Sequence, residues 1–218
     1  MSKKVLVIAA HPDDEILGCG GTVAKHTSEG DEVQTIIVCE GESLRYGKDV
    51  GQKQAIEKAA NTLGVRKVHT LEFPDQKLDT YCLVEIISPI EKVIAEYSPQ
   101  IIYCHYGNDV NRDHRIVFEA ASVALRPVAE SVEAFYSFYT MGSTDWGYPR
   151  DFSPDTWIDI TQYLHLKVEA FKCYTSEIRN YPHPRSVKAI EHLAFSTGNQ
   201  CCLEAAESFV TIRRIIRR

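Results

Sequence analysis

Apolar and polar residues alternate along the first 140 positions in blocks that switch between strand and helix periods. Val5 to Ala10 is a continuous apolar run, the pattern of a strand buried on both faces. Ile16 to Ser28 has helical character, and Gly30 supplies its C-terminal stop. Val33 to Cys39 is a second β-branched run, followed by a helix over Lys53 to Leu63. That helix carries Ala55, Ile56, Ala59, Ala60 and Leu63 on one face and ends at Gly64. Val68 to Leu71 predicts a third strand. A helical stripe then runs through Leu83, Ile86, Ile87, Ile90, Val93 and Ile94. Pro89 interrupts it, either as a kink or as the first position of a new helix with Ser88 as cap and Glu91 in its first turn. Ile101 to Cys104 is a fourth strand, His114 to Leu125 a helix that ends before Pro127, and Val132 to Tyr139 a further strand. Beyond residue 140 the pattern loosens into a long loop, Gly142 to Pro154. A helix capped by Thr161 then runs through Tyr174, and another capped by Ser186 through Phe195.

Strands alternating with helices, joined by connections long enough for crossovers, imply an α/β fold. The expectation is a Rossmann-like, mostly parallel sheet with helices on both faces and a helical C-terminal extension. No repeat or linker divides it, so residues 1–218 read as one domain. A chain of this size buries roughly 70% of its unfolded surface and needs no structural metal or disulfide to fold. The formal charge of −6 argues against a nucleic-acid-binding surface. Seven cysteines without a Cys-x-x-Cys pair read as thiols of a reducing compartment. The apolar run before His11 is too short for a signal peptide core or a membrane span, so a cytoplasmic protein is expected. Self-association is left open.

In such sheets ligands bind beyond the carboxyl ends of the strands. The first strand runs directly into His11-Pro12-Asp13-Asp14-Glu15. The fourth ends at Cys104-His105 and leads through Asn108-Asp109-Val110-Asn111-Arg112 to Asp113-His114 at a helix start. Both polar clusters therefore fall at the same end of the sheet. An imidazole and a carboxylate three residues apart, joined by an imidazole from a second loop, make a three-ligand zinc site with a position left for water. His11, Asp14 and His114 are the candidate ligands, and Asp13 the candidate general base. The plainer reading is that Asp13 and Asp14 cap a helix and favour its dipole, and that Asn111 is an N-cap for the helix carrying His114.

The segments KVLVIAAHPDDEILGCGGT and NDVNRDHRIVFEAA closely resemble the PIG-L (LmbE-like) de-N-acetylases. Similarity continues through FPDQKLDT (73–80), YPHPRS (181–186) and ESFVTIR near the end. The resemblance implies zinc held by His11, Asp14 and His114, Asp13 as base, and an N-acylated amino sugar or its conjugate as substrate. One position departs from the family pattern. Many members read His-Pro-Asp-His in the second block, where the first His stabilises an oxyanion or acts as general acid; this chain has Asn111 there. An asparagine donates a hydrogen bond to an oxyanion but supplies no proton, which makes His183, set between two prolines in extended backbone, the candidate acid.

Smaller signals mark Glu40-Gly41-Glu42, at the end of the second strand, as a substrate-pocket lining or a polar turn, and Arg45 and Arg185 as candidate contacts to a phosphate or sugar hydroxyl. His105 reads as a satisfied core histidine or a neighbour of the metal, and Trp146 and Tyr148 as stacking residues on a long loop. Two rival readings remain. One is a non-hydrolytic Rossmann-like nucleotide-binding protein, based on Gly18-Cys19-Gly20-Gly21 and Glu40. The other is a sugar binder without catalysis. Against the first, seven residues separate the glycines from the strand, and close packing of the helix on the sheet explains them as well.

Overall fold

A computed structural model describes residues 2–43, 47, 50–128 and 131–216. The strands are β1 (Lys4–Ala9), β2 (Glu32–Cys39), β3 (Lys67–Phe73), β4 (Ile101–His105), β5 (Ala134–Phe138), β6 (Thr156–Asp159) and β7 (Ala206–Arg214). They form one sheet in the order β3-β2-β1-β4-β5-β7-β6. The first five run parallel, and β7 is antiparallel to both β5 and β6. The helices are α1 (Asp14–Ser28), α2 (Gln52–Leu63), α3 (Leu83–Tyr97), α4 (Arg112–Ala124), α5 (Leu164–Lys172) and α6 (Val187–Asn199).

The period of two along the central strands divides the core. Val5 and Val7 of β1, Val33 of β2 and Tyr103 of β4 pack with α1, α2 and α5 on one face. Leu6 and Ile8, with Ile36 and Ile102, pack with α3 and α4 on the other. Burial on both sides is why β1 has no polar position after Lys4. The chain leaves β1 towards β2 and β3, then returns to place β4 on the opposite side. That reversal opens a crevice between the carboxyl ends of β1 and β4, where doubly wound sheets bind ligands.

Three expectations are modified. Pro89 lies inside a continuous α3, and Ser88 spends its hydroxyl on the Val84 carbonyl instead of capping a new helix. The true N-cap is Cys82, whose N–H donates to the Glu85 carboxylate at 2.8 Å. Thr161 does not cap α5, which begins at Leu164; its hydroxyl oxygen accepts from the N–H of Ala205 at 3.2 Å and ties the loop to β7. The C-terminal part contains α5 and α6, with Ser186 capping α6 as expected, but also the antiparallel strands β6 and β7 that complete the sheet.

The glycine run of α1 serves packing. A Cβ on Gly18 would overlap the Phe138 ring, and one on Gly21 would lie 2.7 Å from Ile160. The helix also breaks locally at Cys19, whose backbone is non-helical. Glu207 of β7 accepts the freed N–H groups of Gly21 and Thr22 at 3.0 and 2.7 Å. Lys167 of α5 donates to the Leu17 carbonyl at 2.9 Å and to Glu207 at 2.6 Å. A buried ion pair thus satisfies the backbone groups that the break exposes. All seven cysteines are free thiols. Among the described residues, no helix is long and apolar enough to cross a membrane.

Candidate active site

The turn after β1 carries the first half of the site. Ala10 donates its N–H to His105 Nε2 at 2.9 Å, so the His105 side chain bridges the ends of β1 and β4. That bond makes Nε2 the acceptor, and Nδ1 then donates to Thr140 Oγ1 at 3.1 Å. Burial and the neighbouring His114 push its pKa down to about 3, so the ring stays neutral. His105 is therefore a satisfied core histidine that also stacks on His114, ring centres 3.9 Å apart.

Asp13 follows in left-handed backbone, φ +96°, with no side-chain capping bond to α1. Such a conformation is costly for a residue other than glycine and marks a site over-determined by its surroundings. The carboxylate is fully buried, and neither oxygen has a hydrogen-bond partner. Among the described residues, its cationic neighbour is Arg185, with Nη1 3.4 Å from Oδ2. Burial raises the Asp13 pKa well above the usual carboxylate range, and Arg185 opposes that rise. The helix-cap reading of Asp13 therefore does not apply.

Asp14 meets the two histidines. His11 Nδ1 is 3.2 Å from Asp14 Oδ2 and 3.3 Å from His114 Nε2, and His114 Nε2 is 3.1 Å from Asp14 Oδ2. Ligand atoms held about 2.0 Å from a tetrahedral centre stand roughly 3.3 Å apart. The three atoms form a triangle of nearly that edge, and Asp14 Oδ1 is buried without a partner. Two imidazole nitrogens facing each other beside a carboxylate fit a divalent cation. Burial works against the ionised form of Asp14, but His114 and His105 outweigh it and hold its pKa well below the usual range.

Each of the two triangle histidines is held by a carboxylate at its far nitrogen. His114 Nδ1 lies 3.3 Å from Asp109 Oδ1 and 3.3 Å from Ser143 Oγ. His11 Nε2 lies 3.0 Å from Asp113 Oδ2 and 3.3 Å from Asp75 Oδ1. Such partners fix the tautomer that leaves the near nitrogen free to bind metal. Asp109 is itself held by Thr144 Oγ1 at 2.7 Å, by Ser143 and by the N–H of Asn111 at 2.8 Å. Asn111 caps α4, its Oδ1 accepting from the Asp113 N–H at 2.9 Å, which leaves its amide NH2 as a donor.

A cavity of about 420 Å³ adjoins this cluster, lined among others by Gln76, Asn111, Trp146, Glu177, His183 and Arg185. His183 lies in a turn, not in simple extended backbone: its N–H donates to the Asn180 carbonyl and its carbonyl accepts from Ser186 N. Its Nδ1 accepts the Arg185 N–H at 3.0 Å, so the neutral ring carries its proton on Nε2. Arg185 is gripped on its other side by Glu177 at 2.7 Å. Trp146 lines the cavity and meets the His183 ring edge-on, whereas Tyr148 stands in solvent. Glu42 is not part of the lining; its carboxylate accepts the N–H of Gln52 at the start of α2, at 2.8 Å. Arg45 lies outside the described residues.

Four carboxylates of this site were not read from the sequence as functional: Asp75, Asp109, Asp113 and Glu177. Asp109 and Asp113 stand in the same short segment as His114 and were legible as candidate imidazole partners. Glu177, in the loop before α6, carries no signal of its own. The dinucleotide-fingerprint reading loses its footing. The glycines lie inside α1 against Phe138 and Ile160, and Glu40 spends its carboxylate on the N–H groups of Glu42, Ser43 and Asp75.

The PIG-L family model, described as GlcNAc-PI de-N-acetylase, matches residues 6–125 of the chain. This protein belongs to that family, one of deacetylases and hence amide hydrolases. The diacetylchitobiose deacetylase of Thermococcus kodakarensis is 28% identical over 192 residues, covering 80% of this chain and 70% of the relative. The fold matches a conserved protein from Thermus thermophilus with a TM-score of 0.80 at 22% identity, covering 99% and 97% of the two chains. It also matches GalB, the 4-carboxy-2-hydroxymuconate hydratase from Pseudomonas putida, with a TM-score of 0.79 at 18% identity, covering 99% and 98%. One architecture carries a hydratase too, so the chemistry has to be argued from the site.

Proposed function

We propose that this protein is a zinc-dependent hydrolase that removes the N-acetyl group from an amino sugar or its conjugate. The observation that carries the reading is the triangle of His11, Asp14 and His114 donor atoms, 3.1–3.3 Å on a side, beside a buried Asp13 whose carboxylate accepts no hydrogen bond. His11, Asp14 and His114 would hold the zinc, which would supply a Lewis acid and lower the pKa of bound water to about 7.

The chain's own groups do the rest. Asp13 takes the proton of the water that attacks the acyl carbon. Arg185, fixed by Glu177, places a positive charge against Asp13 and holds it in one position. The Asn111 amide donates towards the oxyanion, a role its cap leaves open. Breaking the C–N bond requires a proton on the leaving amine, given by Asp13, which then holds the proton taken from the water, or by His183 once its ring is an imidazolium, a form that the Arg185 N–H at Nδ1 opposes. Products are acetate and the free amine. Trp146 offers an apolar face to the sugar ring. Arg179 on the cavity lining, with Arg112 beside it paired to Asp79, favours an anionic carrier, a nucleotide- or lipid-linked sugar, over the free one.

The deciding experiment is acetate release from N-acetylglucosamine, diacetylchitobiose and a uridine-diphosphate-linked N-acetylglucosamine, using protein with measured zinc content. Near one zinc per chain, with acetate formed from any of the three and lost on chelation, supports the reading. Protein that binds no zinc on titration would overturn it.

A further inference from the structure

His11 has donors on both sides, and its second side makes a separate constellation. Around Nε2 stand Asp113 Oδ2 at 3.0 Å and Asp75 Oδ1 at 3.3 Å, with Cys39 Sγ 3.6 Å from Asp113 Oδ2. His11, Cys39, Asp75 and Asp113 are all buried. Ligands about 2.0 Å (N or O) and 2.3 Å (S) from a tetrahedral centre stand roughly 3.3 and 3.5 Å apart; these three separations are close to that, and donor atoms of His11, Cys39 and Asp113 all lie within 4.8 Å of one another, with Asp75 beside His11.

The charges here are unbalanced. With Nδ1 engaged in the His11–Asp14–His114 triangle, the ring has one proton to offer, at Nε2, to two carboxylates. Among the described residues, no lysine or arginine forms an ion pair with Asp75 or Asp113. Independently, Asp75 Oδ2 is fully buried and has no hydrogen-bond partner. A buried carboxylate oxygen without a donor is unfavourable unless something satisfies it. Gln76 covers the constellation: its amide nitrogen is 3.1 Å from His11 Nε2 and 3.3 Å from Asp75 Oδ1, while the residue also lines the active-site cavity. A swing of this exposed side chain opens a path from the cavity.

We infer that Cys39, Asp75, Asp113 and His11 Nε2 form a second metal site, filled by a thiophilic divalent cation in excess, with His11 bridging it to the first. Binding displaces the Cys39 thiol proton and the His11 Nε2 proton and moves Gln76 aside. Because Gln76 lines the cavity and His11 is shared with the first site, filling the site inhibits the enzyme. The inference rests on the first site as proposed above.

Cobalt titration of metal-free protein separates the two readings. The first equivalent, bound by nitrogen and oxygen only, gives visible d–d bands without a thiolate-to-cobalt charge-transfer band. The second equivalent brings the charge-transfer band in the near ultraviolet. Cys39→Ala is expected to lose that band and bind one equivalent. Asp75→Asn is expected to keep the first equivalent and weaken the second by tenfold or more. One equivalent with no charge-transfer band in the unsubstituted protein overturns the second site alone, as does a band that persists in Cys39→Ala, which would come from other thiols. Failure to bind even the first equivalent overturns both readings.

Discussion

Asp109 sits behind His114, its Oδ1 3.3 Å from Nδ1, on the side of the ring away from the donor triangle. Thr144, Ser143 and the backbone of Asn111 fix that carboxylate, so it acts as a preset orienting group. Asp109→Asn keeps the shape but offers one acceptor and one donor where two acceptors stood. Zinc affinity is expected to fall by about 10–100-fold, with little change in the circular dichroism of the fold. Competition with a chromophoric chelator measures it, and unchanged affinity would remove Asp109 from the metal site.

Asp13→Asn separates chemistry from metal binding. Asp13 is not a corner of the triangle, so zinc content is expected to stay near that of the unsubstituted enzyme. Turnover is expected to fall by about 10²–10⁴-fold, the range for loss of a positioned base. His11→Ala, by contrast, is expected to lose both metal and activity. Acetate release with parallel elemental analysis checks the pair, and an active Asp13→Asn protein sinks the base assignment.

His183→Ala tests the proton donor. The ring shares the cavity with Arg185 and Asn111, and its Nδ1 is occupied by the Arg185 N–H, which directs the Nε2 proton elsewhere. Turnover is expected to fall by roughly 10²-fold with zinc content unchanged. Full turnover with an unchanged pH profile would leave Asp13 as the sole proton carrier.

How much of this was legible in the sequence follows from the range of the interactions. Strands buried on both faces announce themselves as apolar runs, which is why β1, β2 and β4 and the sheet end carrying His11 and His114 could be placed. β7 could not: its segment begins Ala206-Glu207-Ser208, and a buried Glu207 breaks the alternation a strand should show. That glutamate is there for a partner 186 positions away, the broken turn of α1 at Gly21. Thr161 failed as a cap for a similar reason, since its bond goes to Ala205 across the sheet edge. Pro89 stayed inside α3 because the stripe Ile86–Ile90–Val93 packs continuously on the sheet, and that burial outweighs one missing backbone bond. The donor triangle was readable because its residues flank two strand ends. The Glu177–Arg185–Asp13 contact was not, because it joins a loop before α6 to the turn after β1.

The break in α1 supplies the last prediction. Lys167 and Glu207 are both buried, and between them they satisfy the Leu17 carbonyl and the N–H groups of Gly21 and Thr22. Glu207→Leu removes one charge and leaves an uncompensated ammonium and two N–H groups without acceptors. Loss of one partner from a buried pair costs about 3–5 kcal/mol. For a domain of this size each kcal/mol shifts Tm by about 2–4 °C, so a fall on the order of 10 °C is expected in a thermal melt. The same helix begins with the Asp13–Asp14 turn, so the destabilised protein is also expected to bind zinc more weakly at a temperature where it is still folded. A Glu207→Gln protein keeps an acceptor for one N–H and should lose less of both. If Glu207→Leu melts within a degree or two of the unsubstituted protein, the pair is not what holds the broken helix in place.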